Sequence, residues 1–182
     1  MKEFLKRGGW VFLALLFIVT ALGVGVYAFV ANTHPSGPGS SYISCSKDTI
    51  GQQKPGKDGK YQGAKLVGFT PVKHVAYVKC QDIKVGTGAT ATASSTVTAI
   101  YTGALASSGI IFQSSLDTGQ PAQFQLTSVI PGWTAGVPGM KVGGERRLLI
   151  PAQYAYGPTP PQGSGIPPNA DLVFDITLLA VK

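Results

Sequence analysis

Between residues 99 and 181 the chain leaves no room for a long helix. Runs that are β-branched or that alternate apolar with polar residues, such as 96–102 (TVTAIYT) and 172–179 (LVFDITLL), are separated by Gly and Pro at close intervals. Pro removes a backbone donor and Gly opens turn conformations, so this spacing fits short strands joined by turns. The 24 Gly and 13 Pro of the 182-residue chain point the same way. One window, residues 131–138 (PGWTAGVP), can start a helix on its Pro, and Pro138-Gly139 ends that helix early.

Further strands are expected within residues 75–85, at 110–112, at 124–126 and at 145–150, where ERRLLI reads as a strand with a cationic edge. Residues 157–168 (GPTPPQGSGIPP) are too rich in Pro and Gly for regular structure and form a stiff loop. Leu172, Phe174, Ile176 and Leu178 fall on one face of the last strand. The fold class is therefore α+β: a curved antiparallel sheet of about five strands wrapped on one short helix, with a ligand site in the gap between them.

Reactive side chains are missing from this region. Residues 99–181 contain no His and no Cys, and the acids Asp117, Glu145, Asp171 and Asp175 are scattered. Such a segment is poorly equipped for acid–base or nucleophilic chemistry. Its aromatics can instead build an apolar pocket.

The formal charge of +7 is unevenly placed. Residues 47–84 carry eight Lys against Asp48, Asp58 and Asp82, whereas from Val85 onward four cations balance four acids. The lysines are spread out, without Arg or interleaved stacking aromatics, which argues against nucleic-acid binding. They suit a solvated linker, with attraction to anionic headgroups or polymers as the alternative.

Residues 10–31 (WVFLALLFIVTALGVGVYAFVA) hold no charge. As a helix they would reach about 33 Å, enough to cross a hydrocarbon core of about 30 Å. Lys2, Lys6 and Arg7 precede the run, which would keep residues 1–9 in the cytoplasm and send the rest out. A cleaved signal peptide is the alternative, and it exports the chain equally. The expected organisation is a cytoplasmic N-terminus over 1–9, a membrane anchor over 10–31, a flexible linker over 32–65 and a folded domain over 66–182. Cys45 and Cys80 are the only cysteines. In an exported chain they most simply form one disulfide, with free thiols as the other reading. His34 and His74 stand outside any metal-ligand spacing, so no metal and no cofactor is assigned.

Six runs carry a resemblance when taken in order: KVGTGATATASSTVTAIYTG from Lys84, FQSSLDTGQP from Phe112, VIPGW from Val129, GMKVGGERRLLIP from Gly139, YAYG from Tyr154 and LVFDITLL from Leu172. Over about 100 residues the chain resembles the FKBP-type peptidyl-prolyl cis-trans isomerases. The resemblance implies that Trp133 floors a pocket beneath a proline ring, walled by Tyr101, Phe112, Val129, Ile130, Ile166 and Phe174. It further implies that the Ile130 N–H and the Tyr156 hydroxyl donate to substrate carbonyls, and that Gln113 belongs to the catalytic set. Phe124 and Leu172 read as core. Three positions depart from the family pattern: Gln113 stands where Asp is usual, Thr118 where Arg is usual, and Ala122 where a large aromatic is usual. Losing Asp and Arg together neutralises the site without leaving one charge alone, and Ala122 is expected to open one wall. The function implied is isomerisation of X–Pro bonds in exported polypeptides, with a noncatalytic peptide-binding or chaperone module as the alternative.

Overall fold

The computed structural model describes residues 45–47 and 52–182. The expected membrane anchor at 10–31 and the cytoplasmic N-terminus lie outside the described residues. Among the described residues no helix is long and apolar enough to cross a membrane.

Seven strands form one sheet among these residues: β1 (Cys45–Lys47), β2 (Lys79–Lys84), β3 (Thr96–Leu105), β4 (Ile111–Ser114), β5 (Ala122–Gln125), β6 (Glu145–Ile150) and β7 (Leu172–Val181). Their order is β1-β2-β6-β7-β3-β4, with β5 also paired to β3. The ten residues of β3 are long enough to serve two partners on one edge. Its first half pairs with β5 and its second half with β4. The expectation of about five strands is corrected to seven, and the sheet is not wholly antiparallel. β1, inside the expected linker, runs parallel to β2 with Cys45 opposite Cys80.

The one α-helix among the described residues, α1 (Pro131–Gly136), begins where the sequence places it, with Pro in its first turn and Ile130 as the capping residue. No side chain caps it at Ile130; instead the Thr134 hydroxyl donates to the Leu126 carbonyl at 2.6 Å and ties the helix to the chain entering it. A helix this short gains little from its own hydrogen bonds and relies on packing. Close packing comes from glycine: a Cβ on Gly132 would collide with Ile150, and one on Gly136 would lie 2.7 Å from Leu148 Cδ2.

Alternation along the strands sends Val97, Ala99, Leu148, Ile150, Leu172, Ile176 and Leu178 into a core shared with α1. The opposite face is covered too. Leu66, Ala104, Ile111 and Val173 form a second cluster, with Tyr61 and Phe69 packed on it. The flexible linker expected over 32–65 is thus corrected across its described parts, 45–47 and 52–65. The Gly63 N–H donates to the Ile111 carbonyl at 2.8 Å, the Ile111 N–H returns to Ala64 at 2.9 Å, and Lys65 bridges to Ile110.

Carboxylates hold residues 52–75 in place. Asp117 accepts from the N–H groups of Tyr61 and Gln62 at 2.7 and 3.0 Å. Asp171 accepts from the Val75 N–H at 2.6 Å and, through its other oxygen, from the Ala152 N–H at 2.8 Å. Asp175 takes both the Arg147 guanidinium, at 2.6 and 2.8 Å, and the Gln53 amide, at 2.9 Å. The expected cationic edge on β6 is also corrected. Arg146 and Arg147 are 6% and 3% exposed, so neither is solvated. Being adjacent on a strand, they leave opposite faces. Arg146 reaches Asp82 and the Gly136 carbonyl, while Arg147 reaches Asp175 and the carbonyls of Val67 and Gly68. Buried ions without such partners would be costly.

Candidate functional site

Five elements converge on one opening beside α1. β3 supplies Tyr101, β4 Gln113, β5 Phe124 and β7 Phe174; the chain entering α1 supplies Val129 and Ile130, and α1 itself Trp133. Tyr156 follows the 3₁₀ turn Ala152–Tyr154. Together with Ser128 these residues line a cavity of about 290 Å³. That is close to the lower end of the range of about 300–1,000 Å³ typical of small-molecule sites.

Trp133 is 4% exposed, yet it lines the opening. Its indole meets Phe124 at 5.0 Å, Phe174 at 5.5 Å and Tyr101 at 5.8 Å, all edge to face. Such contacts place the positive edge of one ring on the negative face of another and fix the rings in space. Phe174 sits opposite Gly103 in the β3–β7 register. A Cβ there would come within 2.6 Å of Phe112 and 2.7 Å of Phe174, so only glycine leaves room for both rings. Tyr101 is held by Ser115, whose Oγ accepts from the Tyr101 N–H at 3.0 Å.

The lining contains no carboxylate, imidazole, thiol or amine. Its ionisable groups are two phenols. Burial pushes the Tyr101 hydroxyl above its ordinary 10.0, and the nearby Tyr156 adds to the shift; burial alone raises Tyr156. Both stay protonated at neutral pH. Among the described residues the Ile130 N–H has no backbone acceptor, because it precedes the first turn of α1. The site can thus desolvate a small apolar ring and offer hydrogen-bond donors beside it. It has no group suited to moving a proton near pH 7. Among the described residues no cluster of His, Cys, Asp or Glu could hold a metal ion.

Of the residues singled out from the sequence, Tyr101, Gln113, Val129, Ile130, Trp133, Tyr156 and Phe174 line this one cavity. Phe112 and Ile166 do not join them at this cavity. They line a neighbouring one of about 380 Å³ that shares Gln113 and Tyr156, and Phe112 meets Phe174 of the first site edge to face, ring centroids 5.8 Å apart. The sequence reading assigned Phe124 to the core and missed Ser128. Phe124 is half-buried and packs on the core while its ring also faces the cavity. Its position just before the VIPGW run was the available signal. Ala122 pairs with Ala99, two residues along β5 from Phe124, and does not line the cavity. The Thr118 hydroxyl donates to the Ser115 carbonyl at 2.9 Å and closes the turn after β4.

Fold and site together define a sheet-and-helix domain with an aromatic-lined pocket beside its helix. The family model for FKBP-type peptidyl-prolyl cis-trans isomerases matches residues 88–179, and the chain belongs to that family. It is 42% identical over 137 residues to the FKBP-type peptidyl-prolyl cis-trans isomerase FkpA of Aeromonas hydrophila, covering 75% of this chain and 49% of the relative. A probable FK506-binding protein of Corynebacterium glutamicum is 48% identical over 100 residues, covering 54% of this chain and 82% of the relative. The crystal structure of a peptidyl-prolyl cis-trans isomerase from Pseudomonas syringae pv. tomato superposes with a TM-score of 0.53 at 37% identity, over 63% of this chain and 84% of that one. The chain spans about half the length of the FkpA relatives it matches.

Proposed function

We propose that the chain is a peptidyl-prolyl cis–trans isomerase acting on X–Pro bonds of exported polypeptides. One observation carries the reading: Trp133 floors an open cavity ringed by Tyr101, Phe124 and Phe174, with no acid–base group in its lining. Rotation about the prolyl bond must break amide resonance, a barrier of about 18–20 kcal/mol. No proton has to move. An apolar pocket disfavours the charge-separated planar amide relative to the twisted one, and the Ile130 N–H and Tyr156 hydroxyl bind the twisted geometry preferentially. A thousandfold acceleration needs about 4 kcal/mol of such differential binding. The Tyr101 hydroxyl and the Gln113 amide help orient the substrate, and Val129 and Phe174 close on the ring.

The chain's placement is part of the proposal. The uncharged run at 10–31 supports export with a retained membrane anchor, and cleavage as a signal peptide supports export alone. A Cys45–Cys80 disulfide would fasten β1 to β2; the backbone register favours it, and no described cysteine is free. Mass measurement of the mature chain, before and after reduction, tests both points.

The second reading, a noncatalytic peptide-binding module, is favoured by Gln113, which gives the pocket rim a neutral amide where the family has a carboxylate. Catalysis of cis/trans exchange in an X–Pro peptide by the full-length chain separates the two. Acceleration supports the isomerase. Peptide binding without acceleration, in folded protein, rejects it.

A further inference from the structure

The second cavity, which shares Gln113 and Tyr156 with the one over Trp133, includes Gln62 in its wall. Gln62 lies outside residues 88–179, which match the family, and its position is fixed on both sides. Its N–H donates to Asp117 Oδ2 at 3.0 Å, beside the Tyr61 N–H on Oδ1 at 2.7 Å. The next residue, Gly63, donates to the Ile111 carbonyl on β4 at 2.8 Å. Pinned backbone on either side of an exposed side chain presents that side chain at a set place on the rim. The cavity offers apolar surface from Phe112 and Ile166, amides from Gln62, Gln113 and Gln162, and no formal charge.

We infer that Gln62 is a specificity-determining residue, completing a subsite for an uncharged residue flanking the proline; this rests on the substrate groove proposed above. The segment that precedes the family domain thereby becomes part of the binding surface. Gln113 and Tyr156 line both cavities, so a chain leaving a proline over Trp133 past either of them enters this one. A charged neighbour finds no counter-ion there, whereas an apolar or amide-bearing one finds matching surface.

The test uses the full-length chain and two peptide series, with Leu, Gln, Glu or Lys placed before or after the proline. Wild type is expected to favour Leu and Gln over both charged residues in one series. Gln62→Glu is expected to raise, and Gln62→Lys to lower, the ratio of kcat/KM for Lys- over Glu-bearing peptides in that series by about threefold to fivefold, the scale of an exposed charge pair. The shift should shrink in about 1 M salt, where charges are screened within about 3 Å. A matched charge at Gln125→Glu, exposed on β5 outside both cavities, should leave the ratio in place. Peptide affinities by calorimetry give the same ratios independently of catalysis. Ratios unmoved by both Gln62 variants overturn the subsite alone. Binding with shifted ratios but no acceleration overturns the isomerase reading alone. Absence of both binding and catalysis overturns the groove and the subsite with it.

Discussion

The indole of Trp133 stands at 89° to the ring of Phe174, with centroids 5.5 Å apart. One ring closes the bottom of the cavity and the other its side, so the pair sets the shape a substrate meets. Trp133→Ala should cost about 3–5 kcal/mol of stability, as large aromatic truncations do. Trp133→Phe keeps a ring and should fold nearly as well while lowering kcat/KM about tenfold. Denaturant unfolding and an X–Pro exchange assay on both variants check this; full activity in the Phe variant would remove the indole from its assigned role.

Gly103 is the residue that lets Phe112 and Phe174 approach each other. Gly103→Ala places a methyl 2.6 and 2.7 Å from those rings and should destabilise by about 1–3 kcal/mol through overpacking. Because the displaced ring is a pocket wall, peptide affinity should fall along with the melting temperature. A thermal scan and a peptide titration report the two effects separately.

Tyr156→Phe deletes a hydroxyl at the rim without changing the ring. The expected loss is about tenfold in kcat/KM, near the value of one hydrogen bond, with unfolding almost unchanged. Both phenols, Tyr101 and Tyr156, are held above 10.0. The folded state therefore keeps protons that the unfolded chain has given up. Their stabilising contribution is fully present below pH 10 and is lost as pH rises through the folded values. Activity should be flat from about pH 6 to pH 9, since no lining group titrates there. A bell-shaped profile in that window would place a proton-transferring group in the site.

Asp175 and Arg147 form a buried fork across β6 and β7. Asp175→Ala leaves a guanidinium that is 3% exposed without its carboxylate, and should cost about 3–5 kcal/mol. Replacing both partners, Asp175→Leu with Arg147→Met, should recover much of that loss. It also removes the donors to Val67 and Gly68, so amide exchange should quicken there first.

What the sequence disclosed follows from how local each determinant is. Pro131 starting α1 and the alternation from Leu172 to Leu178 act within a few residues, and both were legible. That Tyr101, Trp133 and Phe174 share one cavity was legible too, because the order of the runs carries the family pattern. The docking of residues 52–65 was not. Its fastening depends on single acids far along the chain, such as Asp117 for Tyr61 and Asp175 for Gln53, and no periodicity announces such pairings. The buried fates of Arg146 and Arg147 were hidden for the same reason: charge alone suggests solvent, and only the partners reverse that. Phe112 and Ile166 were expected beside Trp133 and instead line the neighbouring cavity that shares Gln113 and Tyr156, a placement no local pattern announces.

Asp117 and Asp171 each reach from the family domain back to amides that lie before it, and Asp82 of β2 answers Arg146 in the opposite direction. A polypeptide trimmed to the boundaries of the family match would take from Asp117 both amides, from Asp171 the Val75 amide and from Arg146 its carboxylate, and would bare the outer face of the sheet. Work on an excised fragment would then report on a weaker relative of this protein, missing one lip of its own groove.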